Sequence, residues 1–282
     1  MSAEAPTVTL LGLPGAGKTT YLAAFYIEAE RPDATADVRI TRYTAGQREY
    51  LNELADRLAD RKNVERTSQE QPGELRLPLA FATSEGERLL TVPDVSGELL
   101  RDGMERRVLP AEIVEPLRAS DGALLFVRPD QLVEAVEVGG LAELLEFAPV
   151  KGVDGLQPED WSLDLAATQA RLVDVVQEVL DARERLPLRL AVVVSAWDTV
   201  GEDMTPDRWA GENLALLVQL LQSDPRVQFA VFGVSAQGGD FERDDDVERL
   251  KPMPLAERGF AVRGDRPDRV VVTAPLRWVL GV

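Results

Sequence analysis

Between an apolar stretch, Val8 to Leu11, and a helix-like stretch, Tyr21 to Glu30, the chain runs Gly12-Leu13-Pro14-Gly15-Ala16-Gly17-Lys18-Thr19-Thr20. No other segment restricts the fold as tightly. Gly12, Gly15 and Gly17 let the backbone take turns closed to side chains, so that successive N–H groups face inward and seat phosphate oxygens. Lys18 adds a point charge for the β- and γ-phosphates. Thr19 opens a helix whose positive dipole end faces the same anion, and its hydroxyl is a ligand suited to Mg²⁺. Gly12, Pro14, Gly15, Ala16, Gly17, Lys18, Thr19 and Thr20 are therefore expected to contact a nucleoside triphosphate. A plain glycine-rich turn is the simpler reading, but strand, loop, Lys-Thr and helix in full succession argue against it.

Apolar strand-like runs alternate with amphipathic stretches through most of the chain, which predicts an α/β fold with a mostly parallel sheet and helices on both faces. Val8 to Leu11 reads as the first strand. Leu75 to Ala82 and Arg88 to Val92, parted by Thr83 to Glu87, read as an antiparallel edge hairpin. Ala123 to Val127, Leu188 to Val194 and Gln228 to Val234 are apolar enough for the middle of a parallel sheet. The total is about six strands. Helical spacing marks Gly46 to Lys62, Leu141 to Phe147, Leu163 to Arg185 and Pro206 to Gln222. Surface loops are expected near 147–160 and 238–269, with a small strand at Val270 to Thr273 and a short helix at Ala274 to Leu280.

Composition restricts the chemistry. The 282 residues contain no cysteine and no histidine, so disulfides, thiolate nucleophiles and imidazole acid–base catalysis are absent. Proton transfer would fall to carboxylates, Lys, Tyr or water. A net charge of −18 opposes broad contact with nucleic acid or anionic lipid. Met1 to Pro6 lacks the pattern of an export signal, and no apolar run reaches the ~20 residues of a spanning helix, so a cytoplasmic protein with no membrane span is expected.

Three further strand ends carry candidate chemistry. Leu89 to Val92 leads to Pro93-Asp94-Val95-Ser96-Gly97-Glu98, where Asp94 is placed to hold the water ligands of Mg²⁺ and Gly97 to offer an N–H to the γ-phosphate. An Asp that merely opens a turn is the alternative. The strand Leu190 to Val194 leads to Ser195-Ala196-Trp197-Asp198. If Asp198 points into the site, its carboxylate can accept hydrogen bonds from N1–H and the exocyclic amino group of guanine, which adenine does not offer. It could equally cap a helix. After the last long strand, Ser235-Ala236 can present a backbone N–H to the guanine carbonyl, or form an ordinary loop.

These four stretches, in this order, resemble the translation-factor and Ras-related (TRAFAC-type) P-loop GTPases. The Asp94-x-Ser96-Gly97-Glu98 and Ser195-x-Trp197-Asp198 forms are similar to the bacterial double-GTPase families. The resemblance spans Thr7 to about Gln237 and implies a single domain over 1–282, with an inserted helical segment near 37–64 as a lid or partner surface. It implies a GTP/GDP switch requiring Mg²⁺, with slow hydrolysis and a protein effector that reads loops near 64–73 and 97–108. Those families are thought to act as regulators in multi-component conflict or defence systems. Among Thr35, Thr41, Thr44 and Thr67, the resemblance favours Thr67 as the threonine that closes on Mg²⁺, with Arg66 beside it as an internal arginine finger. Glu98 stands where many relatives carry a water-orienting glutamine, and pairing with Arg101, Arg106 or Arg107 is its other reading. The usual Asn-Lys-x-Asp base motif is altered, with Ser195 and Ala196 in the Asn and Lys places. The missing lysine stem leaves Trp197, or another apolar group, to cover the base, or else leaves nucleotide affinity weak. An ATP-dependent kinase-like enzyme and a degenerate nucleotide-binding scaffold are the competing functions.

Overall fold

The computed structural model describes residues 6–31, 37–60, 75–82, 86–92, 103–106, 108, 111–134, 166–183, 186–201, 203–241 and 243–282. Its strands are β1 (Thr7–Gly12), β2 (Val38–Ile40), β3 (Leu75–Phe81), β4 (Arg88–Val92), β5 (Gly122–Val127), β6 (Leu188–Ser195), β7 (Val227–Ser235) and β8 (Phe260–Arg263). They form one sheet in the order β2-β3-β4-β1-β5-β6-β7-β8. The run β4-β1-β5-β6-β7 is parallel. The outer strands β2, β3 and β8 pair antiparallel.

The central strands are mostly apolar because both faces are covered. All six residues of β5 are buried. On β6, Ala191 and Val193 face one layer while Leu190, Val192 and Val194 face the other. The first layer holds α1 (Lys18–Ala29), α2 (Ala45–Ala59) and the C-terminal α9 (Ala274–Leu280), which bury Phe25, Leu54 and Leu276. The second holds α3 (Ala111–Ala119), α4 (Thr168–Ala182), α5 (Pro206–Asn213) and α6 (Ala215–Ser223), which bury Leu117, Val176, Trp209 and Leu217.

The hairpin β3–β4 lies where the alternation of Leu75, Leu77 and Leu79 predicts it. Eight strands rather than six result from two short additions. Val38–Ile40 is only three residues long, yet it pairs with Leu79 to Phe81 as the sheet edge. The helix after it is built into the core through Leu51, Leu54 and Leu58, and Asn52 accepts a 2.6 Å hydrogen bond from Tyr26 of α1.

The region near 238–269 is not a plain loop. It contains α7 (Asp244–Leu250), α8 (Leu255–Arg258) and β8, whose Ala261 and Val262 are buried between charged flanks. Val270, expected to start a strand, makes only an isolated bridge to Ala261. The helix expected over Pro206 to Gln222 is two helices. It breaks at Leu214, which leaves helical geometry (φ −129°, ψ 38°) and is fully buried, so that Trp209 and Leu217 both reach the sheet. The segments Leu141 to Phe147 and 147–160 lie outside the described residues. No described helix is long and apolar enough to cross a membrane.

Candidate functional site

Parallel strands bring their C-terminal ends to one side, and β1 sits where the chain turns to the left and right halves of the sheet, the position at which open α/β sheets bind ligands. Gly12, at the end of β1, has φ 144°, and a Cβ there would lie 2.7 Å from the Phe126 carbonyl oxygen. Gly15 and Gly17 have φ 77° and 93°. A side chain on Gly15 would strike the Gln131 amide, and one on Gly17 would meet the Ser195 side chain at 2.9 Å. The loop thus needs glycine for backbone angle and for closeness to β5 and β6 together. Ala16 is buried and its N–H donates to Leu13 O at 3.2 Å, while Pro14 stays half-buried at the rim.

Lys18 is the first residue of α1, and its Nζ donates to Gly12 O at 2.6 Å and Leu13 O at 3.1 Å. The loop's own carbonyls therefore aim the ammonium along the loop. Thr19 follows in the first turn, where helix N–H groups and dipole favour an anion.

Beside the loop lies a cavity of ≈ 260 Å³. Gly17, Thr20 and Tyr21 line it from the loop and α1, Phe126 and Arg128 from the end of β5 and just beyond, Ser195, Ala196 and Asp198 from the end of β6 and the turn after it, and Val234, Ala236 and Gln237 from the end of β7 and the loop after it. Asp198 lies in a 3₁₀ turn, Trp197–Thr199, directly after β6. Ser235 Oγ donates to Asp198 Oδ1, and Ser235 Oγ in turn accepts the Gly238 N–H at 2.9 Å. Ser235 is fully buried while Asp198 is half-buried, so the clamp is anchored from behind and fixes the carboxylate's orientation. Ser195 plays a similar anchoring part, with Oγ donating to Val127 O at 3.2 Å across the β5–β6 pair.

Tyr21 packs against Phe126 in a tilted arrangement with ring centroids 5.2 Å apart, and burial pushes its phenol above the ordinary value. Its buried hydroxyl has no hydrogen-bond partner among the described residues. A larger cavity of ≈ 530 Å³ at the β7–β8 edge is lined by Asp207, Arg263, Asp265 and Arg266. No residue singled out from the motifs lines it.

The structure thus brings Gly17, Thr20, Ser195, Asp198 and Ala236 to one cavity, with Ser235 directly behind it. Trp197 is not part of that lining. It is 5% exposed and belongs to the opposite core layer, because Gly233 of β7 leaves a flat bed for its indole. A Cβ on Gly233 would lie 2.1 Å from Trp197 Cδ2. Gly233→Ala should accordingly lower stability by about 2 kcal/mol through overpacking, seen as a reduced urea midpoint at unchanged slope.

Among the other candidates, Thr41 donates to Glu87 at 2.8 Å, and Thr44 caps α2 in a reciprocal box with Gln47. Both hydroxyls serve local structure away from the loop. Arg66, Thr67, Asp94, Gly97 and Glu98, together with Thr35, Arg101 and Arg107, lie outside the described residues. Sequence reasoning missed Tyr21, Arg128, Gln131 and Gln237. Arg128 and Gln131 carry a usable signal: they directly follow the end of an interior parallel strand.

Of the expected Mg²⁺ ligands, Thr19 in the first turn of α1 lies among the described residues, and a single hydroxyl suits a phosphate-bound Mg²⁺. Such an ion takes few protein oxygens and completes its shell with phosphate and water. Among the described residues no cluster of three or more acidic, His or Cys side chains suits a metal held by the protein alone.

Comparison with known proteins places these features in a family. No curated protein matches the sequence. Among solved structures, the chain is similar to bacterial selenocysteine-specific elongation factor EF-Sec, at 11% identity and TM-score 0.37, covering 89% of this chain and 29% of that one. It is also similar to the signal recognition particle receptor SRb-GTP/SRX complex from Chaetomium thermophilum, at 14% identity and TM-score 0.39, over 82% of this chain and 91% of that one. A third is elongation factor SelB from Methanococcus maripaludis with a GTP analogue, at 12% identity and TM-score 0.36, over 89% and 33%. The chain therefore spans less than a third of the EF-Sec chain. The profile of the Double-GTPase 1 family matches residues 9–279, nearly the whole chain, and the chain belongs to that family.

Proposed function

We propose that this chain is a guanine-nucleotide switch that binds GTP with Mg²⁺ and hydrolyses it slowly to GDP. The observation that carries the reading is the cavity beside the glycine loop, with Asp198 clamped at its wall by Ser235 and Gly238. A carboxylate held there matches the adjacent donors of guanine's N1–H and amino group. Adenine lacks that pair.

The β-phosphate would rest on the loop N–H groups, and Lys18 would stabilise charge developing on the γ-phosphate as a positioned water attacks. Thr19 would ligate the Mg²⁺, with Asp94 holding its waters and Thr67 closing on it. That ion, when bound, neutralises charge on the β- and γ-phosphate oxygens. Gly97 would sense the γ-phosphate, and Arg66 or Glu98 would assist the transfer. Ordering of the loops near 64–73 and 97–108 would then be read by a partner protein. We place the switch in the cytoplasm, as a single GTPase-like domain regulating a bacterial conflict or defence system. Family membership supports the nucleotide, and the motif resemblance supports the setting.

Calorimetric titration of nucleotide-free protein with GTP, GDP and ATP in Mg²⁺ tests the reading. Heat from GTP and GDP but not ATP is the expected result. Binding of ATP alone would support a kinase-like enzyme instead, and binding of none a scaffold.

A further inference from the structure

Asp198 can read one edge of a purine, but a bound base also needs its faces covered. Residue 196, where the usual base motif has a lysine stem, is an alanine in left-handed geometry, with φ 48°. Its methyl group covers little. Trp197 is committed to the opposite core layer. Among the described residues that line the cavity, Arg128 is the one cation.

The sheet register puts Arg128 beside the vacated position. Val127 pairs with Val194 in the parallel β5–β6 ladder, so Arg128 is level with Ser195 and one residue from Ala196. Its backbone is extended (φ −118°, ψ 126°) and enters the 3₁₀ turn Pro129–Gln131, whose Gln131 side chain lies against Gly15 of the phosphate loop. Asp130 Oδ1 accepts a 2.7 Å hydrogen bond from Arg128 Nε, which orients the guanidinium plane through one edge. The Arg128 side chain is 39% exposed, so the group is neither locked in the core nor fully solvated.

We propose that Arg128 takes the place of the missing lysine and covers a face of the bound guanine with its guanidinium. The inference rests on the guanine reading above. A planar, weakly hydrated cation suits a purine face better than an ammonium does, through stacking and cation–π attraction. A contact to the base does not sense the number of phosphates.

The test is titration of the parent protein, Arg128→Ala and Arg128→Lys with GMP, GDP and GTP. Arg128→Ala should weaken all three by the same factor, about tenfold, the size of one partly desolvated cation–π contact. Arg128→Lys, which keeps the charge and loses the plane, should fall between it and the parent. Matching melting temperatures would establish that the variants are folded. A loss confined to GTP would make Arg128 a γ-phosphate contact and overturn the proposal. So would unchanged affinity for all three nucleotides. If the parent itself binds no guanine nucleotide, the guanine reading fails first, and the role of Arg128 with it.

Discussion

Lys18→Ala should weaken GTP binding by about 10³-fold, the loss of two or more charge-assisted hydrogen bonds worth roughly 1.5–3 kcal/mol each. The magnitude follows from where the ammonium sits. It is tethered to Gly12 O at 2.6 Å and Leu13 O at 3.1 Å, inside the loop that would receive the phosphates. Its positive charge is already held at the loop, and on binding it would turn donors now spent on those carbonyls toward the phosphates. Alanine leaves the loop amides and the start of α1 in place, so a weak residual attraction for phosphate remains. Helix propensity favours the substitution slightly, so the variant should fold. Calorimetry with GTP and Mg²⁺ measures the effect. Affinity within a factor of about three of the parent (less than 1 kcal/mol) would show that the glycine loop does not hold the phosphates.

Asp198→Asn should lower GTP affinity by about 10²-fold and raise affinity for xanthosine triphosphate, because xanthine carries a carbonyl where guanine carries its amino group. The clamp gives the substitution a defined geometry. Ser235 Oγ donates to Asp198 Oδ1, and a hydroxyl donor selects the oxygen of the new amide for that position. The amide nitrogen is then left on the other branch, as a donor toward the base. Competition between GTP and xanthosine triphosphate, read by displacement of bound nucleotide, reports the switch. If the preference for GTP over xanthosine triphosphate is unchanged, Asp198 does not read the base. Adding Ser235→Ala should blunt the switch, since the amide can then rotate.

Much of the fold was legible without coordinates. The runs of β1, β5, β6 and β7 are predominantly apolar, and their strand bounds lie within a residue or two of those the pattern predicts. The eighth strand escaped notice because Phe260–Arg263 is four residues long and sits among Arg, Asp and Pro. Val38–Ile40 escaped for the same reason: with three residues, its period of two cannot be told from chance. The break at Leu214 was invisible because both halves share one helical spacing, and it is set by what the two helices must cover.

The site divides along the same line. The glycine loop, Lys18 and Thr19 declare themselves because their requirements are local: positive φ at three glycines and a helix start, all within nine residues. Asp198 was recognisable as a strand-end acid, but its clamp by Ser235 joins residues 37 apart in sequence. The roles of Trp197 and Arg128 depended on the folded sheet. Trp197 looked available for the base until the bare backbone of Gly233 drew its indole into the opposite layer. Arg128 belongs to no motif in the sequence, and only the β5–β6 register sets it beside Ala196. Backbone conformation and burial period are properties of neighbouring residues, so they are written in order along the chain. Which side chain faces which across a sheet depends on register and on competition for space among distant segments, and that exists only once the strands have paired.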